Sequence, residues 1–252
     1  MSAHRPTLVL LHGWGFSASV WEPLRAVLPA GVAVHAPDLP GHGQAGDGDR
    51  LRHADAVAAR LIDDLPAGVT HPVWVGWSLG GLVALAASRR WRGPQRLVLV
   101  GSTPRFCAAT DWPQALPAEE LADFRAALAG PRARLERRLA MLCARGAADA
   151  ASLARELAAR LRAQPASVEG LAAGLELLEN GDRRADWAAT PAAVAAWLGE
   201  GDALVPAALA DGLQALRPEA RIERVSGGHA DWVRRPAPLA DFLGRLLQEE
   251  WR

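Results

Sequence analysis

The chain alternates short apolar runs with longer amphipathic stretches. Thr7–Leu11 (TLVLL) is almost wholly apolar and reads as a strand buried on both faces, as in a parallel sheet. Val32–Ala36, Val73–Val75, Leu97–Val100 and Val194–Leu198 read as further strands, and Arg221–Val225 alternates as a strand should. Helical spacing appears between them. Trp21, Leu24 and Leu28 mark one helix over Ser19–Leu28, Ala54–Leu65 is another, and Leu82–Ala87 is an apolar helical run. From about Pro117 to Glu179 the pattern is helical throughout. A first helix opens at Pro117, carries Leu121, Phe124 and Leu128 on one face, and is ended by Gly130 and Pro131. Arg132–Arg145, Asp149–Gln164 and Ser167–Asn180 follow, and Pro238–Trp251 makes a closing amphipathic helix. The expected fold is α/β, a mostly parallel central sheet with helices on both faces. Residues 1–104 and 186–252 form the core, and residues 105–185 form an inserted helical lid over the strand ends where ligands bind.

Composition narrows the class. The 252 residues are half hydrophobic, enough for a substantial core, and the formal net charge of zero argues against a nucleic-acid binder. All 28 basic residues are arginine, and tyrosine is absent. Cys107 and Cys143 fit no metal or redox spacing, so no metal or cofactor is expected. The N-terminus lacks a signal-peptide pattern, and no apolar stretch of about 18 residues exists to span a membrane. A cytoplasmic, monomeric protein is expected.

The chemistry gathers at the ends of the expected strands. Gly76-Trp77-Ser78-Leu79-Gly80 is G-x-S-x-G between a strand and a helix. Such a turn holds the serine hydroxyl out at the top of the sheet as a nucleophile. Asp202, in the loop after Val194–Leu198, and His229, after Arg221–Val225, complete the order Ser…Asp…His. Asp202 would orient the imidazole, and His229 would take the Ser78 proton. The histidine must be neutral for this, so acid should suppress activity. The His12-Gly13-Trp14-Gly15 turn follows the first strand. The backbone N–H groups of Trp14 and Leu79 are the expected oxyanion hole. Asp38 and His42 precede the serine, in the wrong order for a triad. Asp186 and Asp231 are weaker acids by position, and Asp231 is expected to be solvated. His4, His35, His53 and His71 are expected to be ordinary surface or core histidines.

Four segments carry a resemblance: LHGWGFSASVW at Leu11–Trp21, GWSLGGLVA at Gly76–Ala84, STPRFCAATDWP at Ser102–Pro113 and GLELLENGDRR at Gly174–Arg184. The chain resembles the α/β-hydrolase superfamily, and within it the pimeloyl-[acyl-carrier protein] methyl ester carboxylesterases of biotin synthesis. The first two segments are common among hydrolases, whereas the last two flank the lid and discriminate. The resemblance implies hydrolysis of a methyl ester on an acyl chain carried by acyl carrier protein, an acidic partner. Trp14, Ser78, Leu79, Arg138, Met141, Leu142 and His229 are the substrate-binding residues it implies, and Arg134, Arg137 and Arg155 the carrier contacts. Between Arg125 and Ala163, nine arginines face three acidic residues. Arg134, Arg137, Arg138 and Arg145 share one side of their helix, with Leu135, Leu139 and Leu142 on an adjacent side expected to face the pocket. Three departures stand out. Ala133 and Ala151 occupy two positions where the family has carrier-contacting arginines. Arg138 replaces an aromatic near the acyl chain. The short N-terminus implies loss of the fold's first antiparallel strands. Other readings keep the fold: an esterase or C–C bond hydrolase acting on a free small substrate, or a non-catalytic binding protein.

Overall fold

The computed structural model describes residues 6–248. Among these, six parallel strands form one sheet: β1 (Thr7–Leu11), β2 (Ala33–His35), β3 (Pro72–Trp77), β4 (Arg96–Val100), β5 (Ala193–Gly199) and β6 (Arg221–Val225), in the order β2-β1-β3-β4-β5-β6. β1, β3 and β4 are buried at every residue, which explains why they read as unbroken apolar runs. From β1 the chain steps outward to the edge strand β2, then reverses to β3 on the other side of β1. That reversal opens a crevice beyond the C-terminal ends of β1 and β3, where open parallel sheets bind ligands. Among the described residues all five strand pairings of the sheet are parallel.

Helices cover both faces. α1 (Glu22–Val27) follows a 3-10 turn, Ala18–Trp21, so the expected helix over 19–28 is split where Pro23 enters at its second position. α2 (Ala54–Asp63) and α3 (Leu79–Arg90) come next. Every residue of α3 from Leu79 to Ser88 is buried, and its glycines and alanines let it lie close on the sheet. Four helices follow β4 in succession: α4 (Ala118–Ala127), α5 (Arg132–Ala144), α6 (Ala150–Ala163) and α7 (Val168–Asn180). The Asp149 and Ser167 side chains cap α6 and α7, accepting from Ser152 N and Gly170 N. The segment leaving β4 is tied to the one returning: Arg105 pairs with Asp182 as an antiparallel bridge, and Arg183 N donates to Pro104 O at 2.7 Å.

Two further helices, α8 (Arg184–Ala189) and α9 (Leu209–Leu216), were not expected from the sequence. α10 (Ala237–Gln248) buries Leu239, Phe242, Leu243 and Leu246, and the expected end of this helix at Trp251 lies outside the described residues. So does His4.

Candidate active site

Ser78 sits between β3 and α3 with φ 54° and ψ −126°, a positive φ that only Asp47 shares among the described non-glycine residues. Such strain persists only where neighbours enforce it. Here Ser78 N donates to Val100 O at 3.1 Å, while Ser78 O accepts from Gly81 N at 2.9 Å and from Ser102 Oγ at 2.6 Å. Gly76 is required because a Cβ there would overlap the Gly81 backbone.

The loop after β5 delivers Asp202 and the loop after β6 delivers His229; both are buried. Asp202 Oδ1 accepts from Leu204 N at 2.8 Å and Val205 N at 2.9 Å, which aims Oδ2 at His229 Nδ1, also at 2.8 Å. An ionised carboxylate can only accept, so Nδ1 carries the proton and Nε2 remains free to act as a base. Ser78 and His229 line one cavity, with Trp14, Phe16, Phe106, Phe124 and Leu139 among its apolar walls. Among the described residues no direct hydrogen bond joins the Ser78 hydroxyl to His229. Catalytic contacts of this kind commonly tighten only with substrate bound.

The turn after β1 is held by two buried histidines. His12 Nδ1 donates to Gly13 O at 2.9 Å and its Nε2 accepts from Leu39 N at 2.9 Å. His42 Nδ1 donates to Pro40 O at 3.0 Å and its Nε2 accepts from Gly15 N at 3.1 Å. Burial lowers His12 to a pKa of about 4 and His42 to about 3, so both are neutral near pH 7. This turn places Trp14 in the cavity wall, its indole N–H donating to Leu171 O at 2.9 Å. Among the described residues, the backbone amides of Trp14 and Leu79 have no protein acceptor.

The end of α5 touches the loops that carry Asp202 and His229. A Cβ on Gly228 would overlap the carbonyl oxygen of Arg145, and one on Gly146 would overlap that of Gly201. Ala230 N donates to Cys143 O at 3.0 Å. The Cys143 thiol lines the cavity, and burial pushes its pKa well up, so it serves as wall and not as a second nucleophile.

A family model described as the alpha/beta hydrolase family matches residues 8–242. The chain belongs to that family. Within it, the chain is 40% identical over 256 residues to the pimeloyl-[acyl-carrier protein] methyl ester esterase of Aromatoleum aromaticum, covering 97% of this chain and 99% of that protein. It is 37% identical over 239 residues to the protein of the same name from Klebsiella pneumoniae, covering 94% and 91%. Among solved structures, an esterase from Exiguobacterium antarcticum superposes with a TM-score of 0.85 at 18% identity, covering 97% of this chain and 92% of that one, a likeness of fold.

The hydrolase places Ser78, His229 and Trp14 on one cavity, with Asp202 on His229 Nδ1, but it does not bring Arg138, Met141 and Leu142 into that cavity. Met141 is 66% exposed, and all three line a separate surface groove with Arg134, Arg137 and Arg145. Helix geometry explains the position of Met141. Leu135 and Leu139, four apart, point inward, whereas Met141 is about 200° around the helix from Leu139, on the arginine stripe. Arg138 instead lies 4.9 Å over the Phe124 ring and pairs with Asp123 at 2.9 Å, joining α5 to α4. Asp231 is buried, not solvated: burial raises its pKa, opposed by Arg235 at 3.6 Å. Asp38 proves structural, accepting from Ala18 N and Gln44 N. Sequence reasoning missed the roles of His12, His42 and Ser102. The order Leu11-His12-Gly13 was the available signal for the first of these.

Proposed function

We propose that this hydrolase is a serine carboxylesterase that demethylates a pimeloyl chain carried on acyl carrier protein, as its relatives' names describe, and so serves biotin synthesis. Residues 105–185 act as the lid over the core. Ser78 Oγ attacks the ester carbonyl carbon while His229 Nε2 takes its proton and Asp202 holds the Nδ1–H. The Leu79 and Trp14 amides receive the oxyanion, each such donor supplying about 3 kcal/mol of barrier lowering. Collapse expels methoxide, which leaves as methanol with the proton from His229. Water, giving a proton to His229, then cleaves the acyl–Ser78 ester and releases the free carboxylate. The observation that carries this reading is the shared cavity of Ser78 and His229, with the base tautomer fixed by Asp202 and walls suited to a hydrocarbon chain.

The carrier contact draws support from the lid surface. Arg134, Arg137 and Arg155 are exposed, and among the described residues none has a carboxylate partner, unlike Arg132, Arg138 and Arg160. Unpaired surface arginines are free to pair with an acidic partner. The test compares the carrier-bound pimeloyl methyl ester with a free methyl ester, following demethylation by mass spectrometry. Faster turnover of the carrier substrate is expected, abolished in Ser78→Ala. Equal rates on both would reject the carrier assignment, and an active Ser78→Ala would reject the nucleophile.

A further inference from the structure

Trp77 precedes Ser78 and lines the same cavity, and it touches both the His229 loop and the turn after β1. It is fully buried at the end of β3. Its indole Nε1 donates to the backbone carbonyl of His229 at 3.0 Å, across 152 residues of chain. Its ring lies 5.4 Å from the His229 imidazole, tilted by 40°. On the opposite flank its six-membered ring packs so closely on the turn after β1 that a Cβ on Gly13 would lie 3.0 Å from Trp77 Cε3. Phe16 at 5.0 Å and Trp232 at 5.5 Å close the remaining sides.

We infer that Trp77 is the positioning residue that holds the His229 loop and the Gly13–Trp14 turn in register with Ser78. The reasoning is geometric. Asp202 fixes the rotation of the imidazole, but a hydrogen bond at Nδ1 leaves the ring able to swing with its backbone. The Trp77 N–H pins that backbone at the carbonyl of His229 itself. The indole is rigid, with two side-chain torsions, and is anchored on a central strand, so both loops are referenced to the residue next to the nucleophile. A displacement of about 1 Å at a reacting group can cost on the order of 100-fold in rate. A purely space-filling tryptophan would need neither its N–H nor its orientation toward the base.

This inference rests on Ser78 and His229 being nucleophile and base, and its test needs no carrier protein. Trp77 is replaced in the full chain by β-(3-benzothienyl)alanine, which keeps the ring shape and lacks the N–H, and separately by Phe. Turnover of a free methyl ester and the rate of Ser78 labelling by a fluorophosphonate are measured, with thermal unfolding alongside. The benzothienyl variant should unfold within a few degrees of the wild type yet lose roughly 10-fold or more in kcat, with KM changed less than about threefold, and label proportionally more slowly. Phe should lose more, because the contact with Gly13 goes too. The downfield proton resonance of His229 Nδ1–H should shift or broaden in both. A folded benzothienyl variant with wild-type kcat and labelling rate overturns the positioning role. Failure of the wild type itself to label would overturn the assignment of Ser78 and this inference with it.

Discussion

His42 holds Gly15: its Nε2 accepts the Gly15 amide at 3.1 Å from the far side of the turn that carries Trp14. His12 does the same for Leu39, and the two rings lie 5.3 Å apart. Both acceptors are lone pairs that a proton would occupy. Asp38 favours protonation of each ring, and Arg132 disfavours it at His42, but burial outweighs these. Unfolded, each histidine titrates near 6.5; folded, near 4 and 3. The unfolded chain therefore binds more protons between those values. This contribution to stability is complete above about pH 6.5 and is lost as pH falls toward 4, at up to about 1.4 kcal/mol per pH unit for each ring. Urea unfolding at pH 7, 5.5 and 4.5 should show midpoints falling in that order, with a shallower fall in His42→Asn. A midpoint independent of pH over this range would refute the neutral-pair assignment.

The lid stem supplies the second prediction. Arg184 and, less strongly, Arg105 hold the Asp182 carboxyl well below the usual carboxylate range, and Arg184 also pairs with Asp111 at 2.8 Å. The stabilisation from a depressed acid is present above its unfolded pKa and lost as pH falls through the folded one. These groups are partly exposed, so Asp182→Asn should cost only about 1 kcal/mol. It should nonetheless speed limited proteolysis between Arg105 and Leu116. Unchanged proteolysis would show that the stem is held by its backbone bonds alone.

Ser102 supports the strained backbone of Ser78. Its hydroxyl donates to Ser78 O and is fully buried. Ser102→Ala leaves that carbonyl with the Gly81 amide, so stability should fall by about 1 kcal/mol. The rate of fluorophosphonate labelling should drop several-fold, as Ser78 relaxes toward an ordinary conformation. Wild-type labelling in a correctly folded variant would mean the glycines alone hold the turn.

Charge reversal tests the lid surface. Arg137→Glu with Arg155→Glu should slow the carrier substrate about 10-fold or more and leave the free ester within about twofold, since neither residue lines the Ser78 cavity. Added salt should slow the wild type on the carrier substrate alone. Equal slowing of both substrates would point to damage in the lid instead.

Much of this was legible because it is local. Parallel strands buried on both faces need unbroken apolar runs, so β1 and β4 are visible in TLVLL and RLVLV. The turn at Ser78 is written into six consecutive residues. What depends on how distant segments meet was harder to read. Leu209–Leu216 contains Gly212, which weakens a helical reading, but that glycine lets the Trp112 ring pack against α9. Asp231 lies in a polar stretch of sequence and is buried because the end of α5 folds over its loop. The placement of Met141 outside the cavity was available from spacing alone, since it shares the stripe of Arg134, Arg137 and Arg145.

The backbone contacts of Arg145 with Gly228 and of Gly146 with Gly201 fasten the end of α5 to the loops that carry His229 and Asp202. Pulling that end of α5 away would drag the aspartate and histidine loops with it and dismantle the base before any ester arrived. We therefore expect residues 105–185, the proposed lid, to hinge at the end of α5 and to open on the α4 side. Amide hydrogen exchange should be faster along α4 than at the last turn of α5, and the reverse order would place the hinge elsewhere.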